Sequence, residues 1–125
     1  MGSDRLPPLK DIDAIELVTW KWPSLNWRTK NQGVIPLTKA QTERVLELWS
    51  KLMPGESARC HEPPFGLRLY RDRTIMYEIT PCWKCDNIAL HCSNLKRESG
   101  LYGVEMGTEP ARELLDYLMA IRDGK

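Results

Sequence analysis

The chain has no apolar run near the ~20 residues that a membrane-spanning helix requires, so no such span is expected. An excess of charge is equally absent: 18 Lys and Arg stand against 17 Asp and Glu, for a net charge of +1. Residues 1–62 carry nine basic and eight acidic side chains, and residues 63–125 carry nine of each. A nucleic-acid binder needs a basic stripe to displace counterions, so nucleic acid is not expected as the main partner. Signature motifs are missing too: there is no G-x-S-x-G, P-loop, dinucleotide fingerprint or H-E-x-x-H. His61 and His91 are the only histidines, so a cysteine-histidine enzyme would have to use one of them. No complete catalytic constellation is visible. The first eight residues, Met1 to Pro8, hold no apolar signal-peptide core, which predicts a cytoplasmic protein.

What is present reads as one α+β domain over residues 13–125, preceded by a flexible arm over residues 1–12. A chain of 125 residues buries a real core without needing covalent staples. Ala14 to Trp22 alternates in the manner of a strand, and Pro23 stops it. Ser24 to Val34 reads as a loop or a short edge piece. Thr38 followed by Gln41 is a capping box, and Val45, Leu48, Trp49 and Leu52 recur at helical spacing up to Pro54-Gly55. Strands are predicted over Phe65–Tyr70, Thr74–Thr80, Asn87–Cys92 and Leu101–Met106, and a second helix after Thr108. No strand-helix alternation repeats, so the expected architecture is an antiparallel sheet of four to five strands with both helices on one face. The first hairpin brings residues near 65 opposite residues near 79, which places Cys60 and Cys82 at the same end of the sheet.

That end holds the chemistry worth testing. Cys82-Trp83-Lys84-Cys85 is a C-x-x-C turn, and Cys60-His61 lies about twenty residues earlier. Two residues between cysteines let both sulfurs point at one atom, which suits zinc. Cys60, His61, Cys82 and Cys85 are thus the candidate metal ligands, against the objection that adjacent residues seldom share one ion. A thiol-disulfide couple is the second reading, but it wants a helix N-terminus after the motif, and Asn87 to Cys92 alternates like a strand. The bland alternative is a tight turn with buried, inert thiols and no cofactor.

Five tryptophans are many for this length, and Trp27 and Trp83 fall in loop or turn contexts. They are candidate partner-binding anchors, or large rings that seal a small core. Arg68, Arg71 and Arg73 cluster on the predicted hairpin and offer a grip for an acidic partner, although a solvated, edge-protecting tip explains them as well.

Taken together, Cys60-His61-Glu62-Pro63, Gly66-Leu67-Arg68-Leu69-Tyr70 and Cys82-Trp83-Lys84-Cys85-Asp86-Asn87-Ile88 resemble a group of small uncharacterised bacterial proteins with C-H-x-P and C-W-x-C motifs. The resemblance covers about residues 58–92 and, weakly, the final helix, and implies a bacterial, soluble, single-domain protein; it carries no activity. Small stand-alone domains of this style are often neutralising partners of toxins. The expected function is that of a binding protein, an inhibitor or immunity-type partner of a toxin or effector. The alternative is a zinc-binding or thiol-redox protein centred on the C-x-x-C turn.

Overall fold

Ile15 and Leu17 alternate with Ala14, Glu16 and Val18, and this period of two builds β1 (Ala14–Thr19). The computed structural model describes residues 6–20, 33–93 and 98–124. Lys21 and Trp22, the end of the predicted first strand, lie outside the described residues, as does most of the predicted loop that follows. The chain returns as β2 (Gly33–Pro36), which pairs with β1 as an edge strand. Helix α1 (Lys39–Ser50) follows, then β3 (Phe65–Arg71), β4 (Thr74–Cys82), β5 (Asn87–Cys92), β6 (Gly100–Gly103) and α2 (Glu109–Arg122). The six strands form one antiparallel sheet in the order β2-β1-β3-β4-β5-β6. The sixth strand, beyond the four to five expected, is β2, and the predicted last strand is shortened to end at Gly103.

Register sorts the side chains onto two faces. Leu17 stands opposite Ile35 and Leu67, Leu67 opposite Ile79, and Ile79 opposite Leu90, so one apolar row crosses five strands. The adjacent row points the other way and alternates in charge: Glu16 is opposite Arg68, Arg68 opposite Glu78, and Glu78 opposite His91. Met76 is the extra residue of a bulge in β4, because Leu69 pairs with Tyr77 and Tyr70 with Ile75. The β3–β4 turn uses Asp72 and Arg73 with φ of 50° and 66°. A two-residue hairpin turn demands such left-handed backbone. Asp72 N–H donates to Asp13 Oδ2 at 2.9 Å, which ties the turn to the start of β1.

The capping box forms as the sequence predicts: Gln41 N–H donates to Thr38 Oγ1 at 3.1 Å, and Thr38 N–H to Gln41 Oε1 at 2.9 Å. Such a cap stabilises a helix by about 1 kcal/mol. Val45, Leu48 and Trp49 from α1 and Ala111, Leu114 and Leu118 from α2 join Ile15, Leu17, Leu67 and Ile79 in one buried core. The helices touch each other and β1, and Arg44 of α1 pairs with Glu113 of α2. Helix α1 ends at Ser50, short of Pro54-Gly55, because Lys51 and Leu52 turn back to bond the Leu48 and Trp49 carbonyls. The expected N-terminal arm is described from Leu6 onward. There Leu6, Leu9 and Ile12 pack partly buried against the core, and Trp49 Nε1–H donates to Pro7 O at 3.5 Å. No helix among the described residues is long and apolar enough to cross a membrane.

Candidate functional site

The segment between α1 and β3 first runs beside the end of β6. Gly55 N–H donates to Gly103 O at 3.1 Å, and Glu105 N–H to Met53 O at 2.9 Å. The approach is backbone against backbone. A Cβ on Gly103 would stand 2.1 Å from Gly55 O and 2.9 Å from Ser57 N. A Cβ on Gly55 would stand 2.6 Å from Glu105 Cγ. Glycine is therefore required at both positions for space, whatever the backbone angles.

Past this crossing the loop is fastened to the C-x-x-C turn. Ala58 N–H donates to Cys85 O at 2.9 Å, and the Cys60 and Cys85 sulfurs are joined in a disulfide with a Cα–Cα distance of 5.8 Å. Glu62 N–H points at Cys82 Sγ, 3.4 Å away. Further on, Trp20 Nε1–H donates to Pro63 O at 3.2 Å and holds the loop against the end of β1. The hairpin expectation holds: Leu67 pairs with Ile79, and Cys60 and Cys82 lie at one end of the sheet.

Asn87, the first residue of β5, organises the loop. It pairs with Cys82 across the hairpin and is 0% exposed. Its Nδ2 donates to Cys60 O at 2.9 Å and Ser57 Oγ at 2.9 Å, and reaches Ala58 O at 3.3 Å. Those acceptors fix the orientation of the amide, so Oδ1 is the atom 2.7 Å from His61 Nδ1. An amide oxygen only accepts, so His61 Nδ1 carries the proton. In the neutral ring Nε2 then accepts from the Thr80 hydroxyl, 2.9 Å away. A buried amide with all its bonds made stabilises; the same amide with them broken costs about 1–3 kcal/mol.

The four candidate ligands therefore meet, but their ligating atoms are already engaged. Cys60 and Cys85 are bonded to each other, both His61 nitrogens have partners, and Cys82 is a free, fully buried thiol. Among the described residues, no group of three or more His, Cys, Asp or Glu is arranged to hold a metal ion. The bond also joins one cysteine of the C-x-x-C motif to Cys60 and leaves its neighbour in the motif as a thiol.

The candidate anchors are dispersed. Trp27 lies outside the described residues. Trp83 turns into the fold, with its ring centroid 5.7 Å from that of Phe65 and its Nε1–H donating to Ala111 O at 2.8 Å. Arg68 faces Glu78 at 3.6 Å in the charged row, Arg71 reaches Asp11 at 3.4 Å, and Arg73 sits exposed in the turn. On the same side as Arg68, the Tyr70 hydroxyl donates to Glu16 at 2.5 Å. Burial, reinforced by that bond, pushes the Tyr70 phenol up to about 12. Burial also raises the Tyr77 phenol on the core face.

Sequence reasoning missed Asn87, Thr80 and Ser57 as members of this cluster. Asn87 was legible as the first residue of a predicted strand, without a partner assigned to its side chain. Its signal was its place opposite Cys82, at a buried strand position where an amide must find partners. No protein-family model, curated protein or solved structure matches the chain.

Proposed function

We propose that this is a binding protein, an inhibitor or immunity-type partner, which meets another protein with the loop between Gly55 and Glu62. Asn87 carries the proposal. This buried residue spends its hydrogen bonds on the backbone and side chains of that loop rather than facing a cavity. The disulfide and the His61 contacts act in the same direction. The result is a surface loop fixed at several points, with Glu56, Ser57, Ala58, Arg59 and Glu62 exposed along it.

A loop held this way loses little conformational freedom when a partner covers it. Side-chain and loop ordering are among the main costs of association, so fixing the loop beforehand favours binding. A buried polar cluster beneath an exposed loop is better suited to holding a shape than to reacting. The expectation of partner contact through Trp83 gives way here to contact through the loop, since the Trp83 N–H is bonded to Ala111.

The experiment is co-purification with the products of genes adjacent to its own, using the native chain and Arg59→Asp. A stoichiometric complex that Arg59→Asp weakens by at least about tenfold, with unfolding unchanged, supports the proposal. A complex indifferent to loop substitutions contradicts it. So does turnover of a small molecule by the protein alone.

A further inference from the structure

Cys60, Cys82 and Cys85 occupy one end of the sheet, and the structure uses two of them in a bond while the third stays a thiol. Cys82 is the last residue of β4, and Cys85 lies in the turn that leads from it to β5. Cys60 and Glu62 are two residues apart on the overlying loop. One is bonded to Cys85, and the other points its N–H at the Cys82 sulfur 3.4 Å away. The loop thus bears on both cysteines of the motif at once. Cys85 and Cys82 are both fully buried, whereas Cys60 sits at an exposed position. Cys92, the remaining cysteine, packs in the main apolar core and belongs to a different cluster.

We propose that these three cysteines form an internal thiol-disulfide relay, in which Cys82 displaces Cys60 from Cys85 and unlatches the loop. Cys82 passes its proton to water, and its sulfur, which faces the Glu62 N–H, attacks Cys85 Sγ. A Cys82–Cys85 bond forms as the Cys60–Cys85 bond breaks. The electron pair leaves on Cys60, which takes a proton from water at the surface. One disulfide and one thiol are present before and after, so the step needs no oxidant or reductant. Exchange of this kind needs the attacking sulfur as a thiolate and within reach of the bond, and Cys82 stands three positions from Cys85 in the C-x-x-C segment. Its product is the short ring that a C-x-x-C turn is built to close. The outcome is a reactive thiol at Cys60 and a loop held by Asn87 and His61 without its covalent tie. This proposal stands on the cysteine positions and does not depend on the binding role of the loop.

The test is alkylation of the native, unreduced protein with N-ethylmaleimide, followed by acidic digestion and mapping of bonds by mass spectrometry. In the wild-type chain, label is expected at Cys60 together with a Cys82–Cys85 bond in the same molecules. Cys82→Ser is expected to slow labelling at Cys60 by at least about tenfold. Cys60→Ser keeps the test independent of that variant's folding. When treated with an oxidised small-molecule disulfide such as oxidised glutathione, it is expected to close Cys82–Cys85. Labelling of Cys60 at the same rate in Cys82→Ser would overturn the proposal. So would two persistent free thiols in Cys60→Ser under the same treatment.

Discussion

His61 and Asn87 fix each other's orientation: with Nδ1 2.7 Å from the amide oxygen, the ring must donate there, and its other nitrogen is left to accept from Thr80. Three loop oxygens on the far side of the same amide complete the arrangement. Replacing Asn87 by Ala removes the donor for those oxygens and the acceptor for His61 together. Stability is expected to fall by about 1–3 kcal/mol, read as the urea midpoint at unchanged slope. Asn87→Asp keeps the shape but places carboxylate oxygens against the Cys60 and Ser57 oxygens, and is expected to cost at least as much. A loss within about 0.5 kcal/mol in both variants would show that the amide does not hold the loop.

His61→Ala leaves Asn87 Oδ1 and the Thr80 hydroxyl without their partner. The expected cost is about 1–3 kcal/mol, below the full value if water enters beside the half-buried ring. Unfolding at matched pH measures it. An unchanged midpoint would mean that both bonds are replaced by solvent.

Gly103→Ala tests the crossing. The added methyl would lie 2.1 Å from Gly55 O, and since the neighbour is backbone, the loop itself must move. Overpacking of this kind costs about 1–3 kcal/mol or more. Gly107→Ala is the control, because a Cβ there meets nothing within 4 Å. The two variants unfolding alike would contradict the crossing.

Tyr70 supplies a pH dependence. Its folded-state value is raised from 10.0 to about 12, mainly by burial and then by the bond to Glu16. The stability this confers is full below pH 10.0 and is lost as pH rises through about 12, because the unfolded chain releases the proton first. Between those limits the wild-type chain is expected to lose more stability than Tyr70→Phe, which has no proton to release. Parallel curves for the two proteins would contradict the shift.

Much of this architecture was legible in the sequence because it follows from local chemistry. Thr38 and Gln41 announced α1, and the spacing of Val45, Leu48 and Trp49 announced its buried stripe. The alternation in β3, β4 and β5 was enough to bring Cys60 and Cys82 together. The edge strand β2 was harder, since four residues ending in proline carry little pattern and gain their place only by pairing with β1. The last strand is cut short because the loop crosses at Gly103, a tertiary event that residues 101–106 do not encode alone. Within the site, hairpin geometry predicted the neighbourhood but not the bond. Which sulfurs join depends on how the loop from α1 lies over the turn, and that path is set by Gly55, Gly103 and Asn87, far apart in sequence. Trp83 had two readings at the sequence level, and the structure places its ring beside Phe65.

Amide hydrogen exchange in the loop tests the central claim most directly. Gly55 N–H is bonded to Gly103 O at 3.1 Å and Ala58 N–H to Cys85 O at 2.9 Å. Both are expected to exchange far more slowly than free peptide amides, and Asn87→Ala is expected to speed them by at least about tenfold while the amides of α1 and β5 change less. Exchange of Gly55 and Ala58 at the rate of an unstructured peptide in the wild-type protein would contradict a loop held in place by the sheet end beneath it.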